Sequence, residues 1–279
     1  MSDPYIVVLD READVVRVLL FDSEARRVEG YSAQLPRRAD AAADCLDEMH
    51  RLIHADGFRI AAVVGRAESE VTAEDRKYWP AFEGAAWFPS LPEGAGMMLG
   101  SGCVGHRQFG LVVGETSLLG MVVERPIAMD GLTCAQIDDR RWLLSGAVQE
   151  AGGAYAAVKR ELKVKGSIEG YLETAAADDP HLAALSAVEQ RFRELFERLK
   201  LAVMEPVEVI ACGATLLKSP AWTLRIANAL GVGLTLCTEP EPAARGSALW
   251  ALERTGAISH LEALPASTAG AVRPVAATA

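Results

Sequence analysis

Several side chains in this sequence are of types that perform chemistry, and their spacing favours or opposes that use. His50 and His54 lie four residues apart beside Asp47, a spacing that can place metal ligands on one face of a helix. The order HExxH is absent and no third ligand is apparent, so we expect a solvated helix face and no metal site. Cys103 lies between glycines in GSGCVG without an identifiable basic partner, so we expect a small buried residue there and not a nucleophile.

Thr116 and Ser117, with His106 upstream, are residue types that serve in nucleophilic catalysis. No GxSxG motif surrounds them, whereas FGLVVGETSLLGMVVE is typical of two short strands joined by a tight turn. We therefore assign Thr116 and Ser117 to a turn.

The most clearly bounded element is a strand end, a turn and a helix within ACGATLLKSPAWTLRIANALG, residues 211–231. Ser219 can cap the helix, Pro220 suits its first position, and Gly231 offers a left-handed stop. A strand, a glycine-bearing turn and a helix N-terminus form a place where the backbone can approach a nucleotide. The same pattern also builds ordinary α/β cores, so the segment alone does not decide between the two.

The elements that must position these residues fall into two similar sets. Residues 5–65 contain three apolar runs, a helix from Asp40 to Asp56 and the buried strand RIAAVVG, which gives the order β-β-β-α-β of a ribonuclease-H-like half. A glycine-dense segment from Leu91 to Gly105 predicts a loop, and a second strand-rich start follows it.

Helices dominate the rest of the chain. We predict one helix within Trp142 to Lys163 and a long amphipathic one from Pro180 to Lys200. Thr238 and Glu241 form a plausible capping box for a last helix that ends near Arg254. The predicted domains are therefore an N-terminal half over 1–90, a nucleotide-binding-like half over 91–260 and a disordered tail over 261–279.

The composition argues against several classes of function. A formal net charge of −10 opposes non-specific binding to nucleic acid or to an anionic membrane. The 5 cysteines are scattered and form no CxxC pair, which favours a reducing compartment over a disulfide framework or a zinc cluster. We expect a cytoplasmic protein, because there is no signal-peptide pattern and no apolar run of about 18 residues.

Three stretches of sequence carry a family resemblance. ACGATLLKSPAW, followed by IANALG and TLCTEPEPAARGSALWAL, resembles SGGALxKSxxWxQxxADxLGxPV and EAxxxGAAxxA of the FGGY carbohydrate kinases, especially gluconate and xylulose kinases. YWPAFEGAAWFPSLPEGAGMMLGSGCVG is similar to WPALAxxxWFPxxGDGAxxNxGSGC, and YIVVLDREADVVRVLLFD to the opening DIGTxxxRxxLFD. The chain lacks counterparts of two family blocks, the sugar-binding block between Gly65 and Trp79 and the GERxPxW region near Asp178 to Leu185.

The resemblance implies an α/β fold with the actin-like ATPase architecture of sugar kinases, built from two ribonuclease-H-like halves. It also implies phosphoryl transfer from ATP with Mg, which depends on positioning and on charge neutralisation. Glu93 aligns with the general base of GDGA, and Asp10 aligns with the aspartate of DIGT. The resemblance therefore assigns the catalytic positions to these two residues. The resemblance assigns the following residues to cofactor binding: Thr116, Ser117, Gly213, Ala214, Leu217 and Asn228.

The sequence departs from the family where phosphates bind. Glu12 replaces the glycine of DIGT, and Glu115 replaces that of GTSG unless Gly114 shifts the register by one. Each carboxylate would repel a phosphate by about 1 kcal/mol in water and about 4 kcal/mol at a dielectric near 20. Glu93 is one methylene longer than the family's aspartate, a displacement of about 1 Å at a group whose position is the mechanism.

These departures favour a degenerate carbohydrate-kinase homologue, non-catalytic or weakly active, that acts as a binding or partner protein. The alternative is an active ATP-dependent kinase for a sugar or sugar acid, with Glu93 as the base. ATP and Mg are the cofactors of the active form, and a non-catalytic form needs neither. The expected partners are a sugar or nucleotide and a second copy of the chain in a homodimer.

Overall fold

The computed structural model describes residues 3–105, 107–114, 117–176, 179–203 and 207–275. The chain divides into two compact units, residues 1–100 with 241–265 and residues 101–240 with 266–279. The predicted boundaries after residues 90 and 260 differ from these. The first unit takes in both α3 (Glu93–Gly100) and α9 (Pro242–Arg254) because these helices pack against each other and α9 also contacts the first sheet.

The first unit is built on one five-stranded sheet with the order β3-β2-β1-β4-β5. The strands are β1 (Pro4–Arg11), β2 (Val15–Phe21), β3 (Arg27–Pro36), β4 (Arg59–Val64) and β5 (Ala86–Phe88). The first three are antiparallel, and β4 and β5 run parallel to β1. With α1 (Ala41–His54) between β3 and β4, the predicted order β-β-β-α-β is confirmed.

The central strand β1 is buried on both faces, as its nearly continuous apolar run predicts. Val7 and Leu9 belong to the core under α1, while the alternate residues Ile6 and Val8 are buried on the other side. Helix α1 turns one apolar face inward and ends at His54. The short helix α2 (Ala73–Tyr78) follows in the connection from β4 to β5.

The glycine-dense segment from Leu91 to Gly105 was predicted to be a loop, which is wrong for its centre, because Glu93–Gly100 forms α3. Two of its glycines, Gly96 and Gly100, lie where two helix backbones meet. A Cβ at Gly100 would lie 1.7 Å from the carbonyl oxygen of Pro242, and one at Gly246 would lie 2.0 Å from that of Gly96. The glycines therefore serve the packing of α3 on α9 and do not break the helix.

The second unit is built on a seven-stranded sheet with the order β12-β11-β10-β6-β7-β9-β8. The strands are β6 (Gln108–Val112), β7 (Leu118–Val123), β8 (Thr133–Gln136), β9 (Trp142–Ala147), β10 (Glu208–Cys212), β11 (Leu234–Cys237) and β12 (Thr268–Val272). β10 runs parallel to β6 and β11, whereas β6 to β9 pair antiparallel. The parallel strands end at the edge that holds the segment 211–231.

The helices of this unit are α4 (Ala151–Glu161), α5 (Glu169–Thr174), α6 (Ala183–Lys200), α7 (Ala214–Lys218) and α8 (Pro220–Leu230). The amphipathic helix predicted over Pro180 to Lys200 is confirmed as a 3₁₀ turn followed by α6, whose apolar side chains are buried. The start of the segment from Trp142 is strand β9, and helix begins only at Ala151.

The C-terminal segment was predicted to be disordered, but residues 261–275 are ordered. Leu261 is buried, and β12 pairs antiparallel with β11. Most of the β12 side chains are exposed, so backbone hydrogen bonds and not apolar burial hold the strand, and periodicity could not reveal it. Residues 276–279 lie outside the described part of the chain.

None of the described helices is long and apolar enough to span a membrane. The 5 cysteines are free thiols, and four of them are buried.

Candidate functional site

The turn between β1 and β2 is held by an arginine surrounded by carboxylates. Arg17 on β2 is the register partner of Asp10 on β1, and its Nη2 donates to Asp10 Oδ2 at 2.6 Å. The same Nη2 lies 2.6 Å from Glu12 Oε1 in the turn. Nη1 donates to Oε1 of Glu241, just before α9, at 2.9 Å. One guanidinium thus binds three carboxylates from three parts of the first unit.

The electrostatics of this cluster are set by partial burial. The side chains of Arg17, Asp10 and Glu241 are 17%, 22% and 19% exposed, whereas Glu12 is 50% exposed. Burial alone would lower the pKa of Arg17, but its hydrogen bond to Asp10 and the charges of Glu241, Asp10 and Glu12 raise it overall. Arg17 therefore stays charged and attracts carboxylates into the turn.

Glu12 was expected to repel a phosphate, but in the structure its carboxylate forms an ion pair with Arg17. The carboxylate that replaces a glycine in the resemblance is ion-paired inside the first unit, and the backbone N–H of Glu12 donates to the carbonyl oxygen of Val15 at 2.9 Å. Both the side chain and the amide at this position are thus occupied by the hairpin itself.

The predicted capping box of Thr238 and Glu241 is wrong. Helix α9 begins at Pro242 with Glu241 before it, and no side chain caps the helix there. The Glu241 carboxylate binds Arg17, with Arg27 3.6 Å away. Local sequence suggested a cap because the spacing fits, but a partner 224 residues away takes the carboxylate.

Glu93 and Asp10, the two predicted catalytic residues, both belong to the first unit. Glu93 is exposed in the first turn of α3, and Asp10 lies near the end of β1 in the ion pair with Arg17. Their elements are connected through α9, which packs on α3 and is preceded by Glu241.

In the second unit, the predicted phosphate turn between β6 and β7 is described only at its ends. Glu115 and Thr116 lie outside the described residues. Ser117 is buried, and its Oγ accepts from the N–H of Gly114 at 3.1 Å and donates to the carbonyl oxygen of Gly114 at 2.9 Å. Both hydrogen bonds of the Ser117 hydroxyl are therefore to the backbone of Gly114, which agrees with the assignment of Ser117 to a turn.

Gly213 occupies a position that only glycine fits. Its φ is +134°, and a Cβ there would lie 2.0 Å from the carbonyl oxygen of Val113. The N–H of Val113 donates to the carbonyl oxygen of Cys212 at 3.0 Å, which ties the end of β6 to the end of β10. Ala214 then begins the short helix α7, on which both Ala214 and Leu217 are exposed.

Helix α8 has the boundaries that the sequence predicts. Ser219 caps it by accepting from the N–H of Trp222, Pro220 is its first residue, and Gly231 ends it with a φ of +69°. The Ser219 hydroxyl also donates to Glu169, and the N–H of Ala221 donates to the other oxygen of that carboxylate at 2.9 Å.

Glu169 is the residue of this site that sequence reasoning missed. Its carboxylate lies against the N-terminus of α8, where the helix dipole favours negative charge, and also accepts from the Tyr155 hydroxyl at 3.3 Å. The ring of Tyr155 in turn stacks on Trp222. Glu169 precedes Ala221 by 52 residues, so no local pattern could have revealed it.

Asn228, predicted to bind the cofactor, contacts the C-terminal segment. Its Oδ1 accepts from the backbone N–H of Val275 at 2.8 Å. The side chain therefore helps to hold the chain that follows β12.

The two histidines differ: His50 packs within the first unit, whereas His54 is exposed, as predicted for a solvated helix face. His50 Nδ1 accepts from the N–H of Ala81 at 3.3 Å, and Asp47 accepts from Trp79 Nε1. Burial and the charge of His54 lower the pKa of His50 against the opposing effect of Asp47. Among the described residues no group of three His, Cys, Asp or Glu side chains could hold a metal ion.

Cys103 is buried, as expected, and its thiol donates to the carbonyl oxygen of Gln108 at 3.3 Å. Burial raises the pKa of this thiol, which opposes formation of the nucleophilic thiolate.

No protein-family model and no curated protein sequence matches the chain. Solved structures do match it. They include a gluconate kinase from Lactobacillus acidophilus, with a TM-score of 0.76 and 13% identity over 98% of this chain and 94% of that one. A ligand-bound xylulose kinase from the same organism has a TM-score of 0.75 and 12% identity over 98% and 94% of the two chains.

A glycerol kinase from Plasmodium falciparum with ADP has a TM-score of 0.73 and 7% identity, again over 98% of this chain and 94% of that one. The chain has the fold of these carbohydrate kinases. The predicted α/β class with actin-like ATPase architecture is thereby confirmed. At such low identities the likeness is one of fold, so the chemistry has to be argued from the chain's own residues.

Proposed function

We propose that this chain is a carbohydrate-kinase homologue that does not catalyse phosphoryl transfer, or does so weakly, and that acts as a binding or partner protein. The observation that carries the proposal is the cluster around Arg17, which binds Asp10, Glu12 and Glu241 at 2.6, 2.6 and 2.9 Å. Phosphoryl transfer needs backbone N–H groups and cations directed at the phosphates. Here three carboxylates already hold the guanidinium.

The residues of the β1–β2 turn do not fit the phosphates of Mg-ATP. The Asp10 carboxylate, which the resemblance makes catalytic, is committed to Arg17, and Glu12 has a side chain where the family has none. Two further arginines adjoin the cluster, Arg27 at 3.6 Å from Glu241 and Arg37, which donates to the carbonyl oxygen of Glu12, so the charges of the cluster are largely balanced. A polyphosphate would have to displace groups that are already paired with one another.

The residues around α8 in the second unit, where the resemblance expects the cofactor, support the same proposal. Glu169 occupies the N-terminus of α8, and Asn228 binds the backbone at Val275. Both groups have partners within the chain. A ligand that used them would have to displace those partners, which costs binding free energy.

Heat unfolding with millimolar Mg-ATP tests the proposal directly. A ligand at 100 times its dissociation constant stabilises the folded state by about 2.7 kcal/mol, and we expect no upward shift of Tm. If Tm rises with Mg-ATP, the chain binds the nucleotide and the argument that the β1–β2 turn opposes its phosphates is wrong. ADP release with gluconate, xylulose or glycerol then decides whether transfer occurs.

Two substitutions at one position separate charge from shape. Glu12→Gly removes both the carboxylate and the side chain, whereas Glu12→Gln removes only the charge. If repulsion is the main obstacle, both variants gain a Tm shift with Mg-ATP, but if bulk is, only the glycine variant gains it. Glu24→Gln, in the exposed turn after β2, is the matched control and should change nothing.

A specific observation favours the alternative of an active kinase. Gly213, at a φ of +134°, retains glycine-dependent backbone geometry at the end of β10 in the second unit. In that case Glu93 is the base, and two turns hold ATP with Mg. One contains Thr116 and Ser117, and the other contains Gly213 and Ala214. Loss of ADP release in Glu93→Gln, with Mg-ATP binding retained, would support this alternative. The substrate sugar, any protein partner and the homodimer stay predictions.

A further inference from the structure

The chain passes between its two compact units three times, after Gly100, after Pro240 and after Pro265. The first crossing follows α3, the second precedes α9, and the third follows the 3₁₀ turn Leu261–Ala263. Segments so far apart in sequence have no local reason to move together.

Arg245 in α9 contacts the segments at all three crossings. Its side chain binds the segments at the first and third, and its backbone N–H makes an ordinary helical hydrogen bond to the segment at the second. Arg245 is 4% exposed, and its Nη1 donates to the carbonyl oxygen of Gly100 at 2.8 Å. Its Nη2 donates to the carbonyl oxygens of Leu264 at 2.9 Å and Pro265 at 3.1 Å. Its own backbone N–H donates to the carbonyl oxygen of Glu241, the first residue after the second crossing, at 2.9 Å.

The glycines of α3 and α9 let the guanidinium reach these carbonyls. A Cβ at Gly100 would lie 2.7 Å from the backbone nitrogen of Gly246, and one at Gly96 would lie 2.8 Å from the carbonyl oxygen of Ala243. The two helix backbones are therefore in direct contact. Arg245 lies beside this contact, where its side chain can join the end of α3 to residues 264 and 265.

The chemistry of the side chain fits this arrangement. A guanidinium presents donors in a rigid planar fork, so its two terminal nitrogens can bind carbonyls that face it from different directions. A lysine ammonium is a compact point charge on a flexible stem and cannot span the same acceptors in a fixed geometry.

We propose that Arg245 is a clamp that makes the three crossings open together and not one at a time. The clamp is a positioning device of the first unit, and it holds whether or not the protein transfers phosphoryl groups. It predicts that in the unmodified protein the three crossing segments share one opening free energy, higher than that of ordinary surface loops.

Native-state hydrogen exchange, followed by mass spectrometry on the full chain, tests the clamp. In the unmodified protein, peptides over 96–103, 238–245 and 261–268 should exchange with one common protection. In Arg245→Met, which keeps the length and apolar character of the stem, the peptides over 96–103 and 261–268 should exchange at least about tenfold faster and at different rates. Peptides over β2 and α6 should not change.

Two further variants keep the result interpretable. Arg254→Met removes an exposed arginine from the same helix and should leave all three segments protected. Arg245→Lys should restore protection to one side of the clamp at most. The proposal is overturned if the lysine variant protects both peptides like the unmodified protein, if Arg245→Met accelerates exchange uniformly along the chain, or if the three segments already exchange independently.

Discussion

The turn after β1 and the turn after β10 both follow a central strand of a sheet, but different forces shape them. The first is held by side-chain ions, with Arg17 binding Asp10, Glu12 and Glu241. The second is shaped by backbone contact, with Gly213 lying against the carbonyl of Val113 and the end of β10 bonded to the end of β6.

The difference shows which features of a turn can be changed without losing the fold. An ionic side chain at the first turn can be replaced without a steric clash, and the cost is that of the lost ion pairs, which solvent offsets in part at the half-exposed Glu12. A backbone approach that excludes every Cβ cannot be exchanged, because any side chain meets protein atoms. The turn after β1 therefore imposes no steric requirement for glycine, whereas the turn after β10 does.

The largest expected effect comes from placing a side chain at the second turn. Gly213→Ala puts a Cβ 2.0 Å from the carbonyl oxygen of Val113 at a φ of +134°, so β6 and β10 must move apart. We expect a loss of about 3 kcal/mol or more in the free energy of unfolding, measured by urea denaturation.

Gly153→Ala is the matched control for that substitution. A Cβ at Gly153, on α4, meets no atom within 4 Å, so alanine should stabilise the helix by about 0.5–1 kcal/mol. Equal effects of the two alanine substitutions would show that the second turn does not depend on close backbone contact.

A smaller loss is expected when the ionic turn is opened. Arg17→Met leaves three carboxylates, two of them largely buried, without their shared cation, and should cost about 2 kcal/mol in the free energy of unfolding. Arg26→Met, whose side chain is 68% exposed beside Asp22 and Glu24, should cost less than about 0.5 kcal/mol. If the two variants lose the same small amount, Arg17 does not hold the turn.

The sequence predicted best those features that depend on neighbouring residues. The order of elements from β1 to β4 follows from apolar periodicity, and the boundaries of α8, from Ser219 to Gly231, follow from capping chemistry within a few residues. The fold itself was reached through motifs spread along the chain, and structural comparison confirms it.

Features that depend on distant partners could not be predicted in this way. Glu241 has the spacing of a capping residue but binds Arg17, and Glu169 caps a helix that begins 51 residues later, at Pro220. Likewise the glycines of α3 suggested a loop. They are there to allow close packing on α9, a helix that comes more than 140 residues later in the chain, and local sequence does not show that contact.

The smallest expected effect is a dependence of stability on pH. It comes from an ion pair between α6 and α8, which can be compared with the ion cluster around Arg17. Glu189 on α6 is buried and accepts from Arg225 Nε at 2.7 Å and Nη2 at 3.0 Å. Burial raises the pKa of Glu189 above its ordinary value of 4.5 despite the opposing effect of Arg225. The charged form of this carboxylate is therefore penalised by burial.

The sign of the effect follows from proton binding. Between pH 4.5 and the raised pKa, the folded state holds a proton on Glu189 that the unfolded state has released, so stability falls as the pH rises through this window. Glu189→Gln should remove that slope from urea unfolding curves recorded across the window. Glu194→Gln on the same helix is the opposite control, since hydrogen bonds from Gln190 and Arg191 lower the pKa of Glu194. The contribution of Glu194 to stability is present above pH 4.5 and is lost as the pH falls. If Glu189 also made stability rise with pH, burial would not be the main cause of its pKa shift.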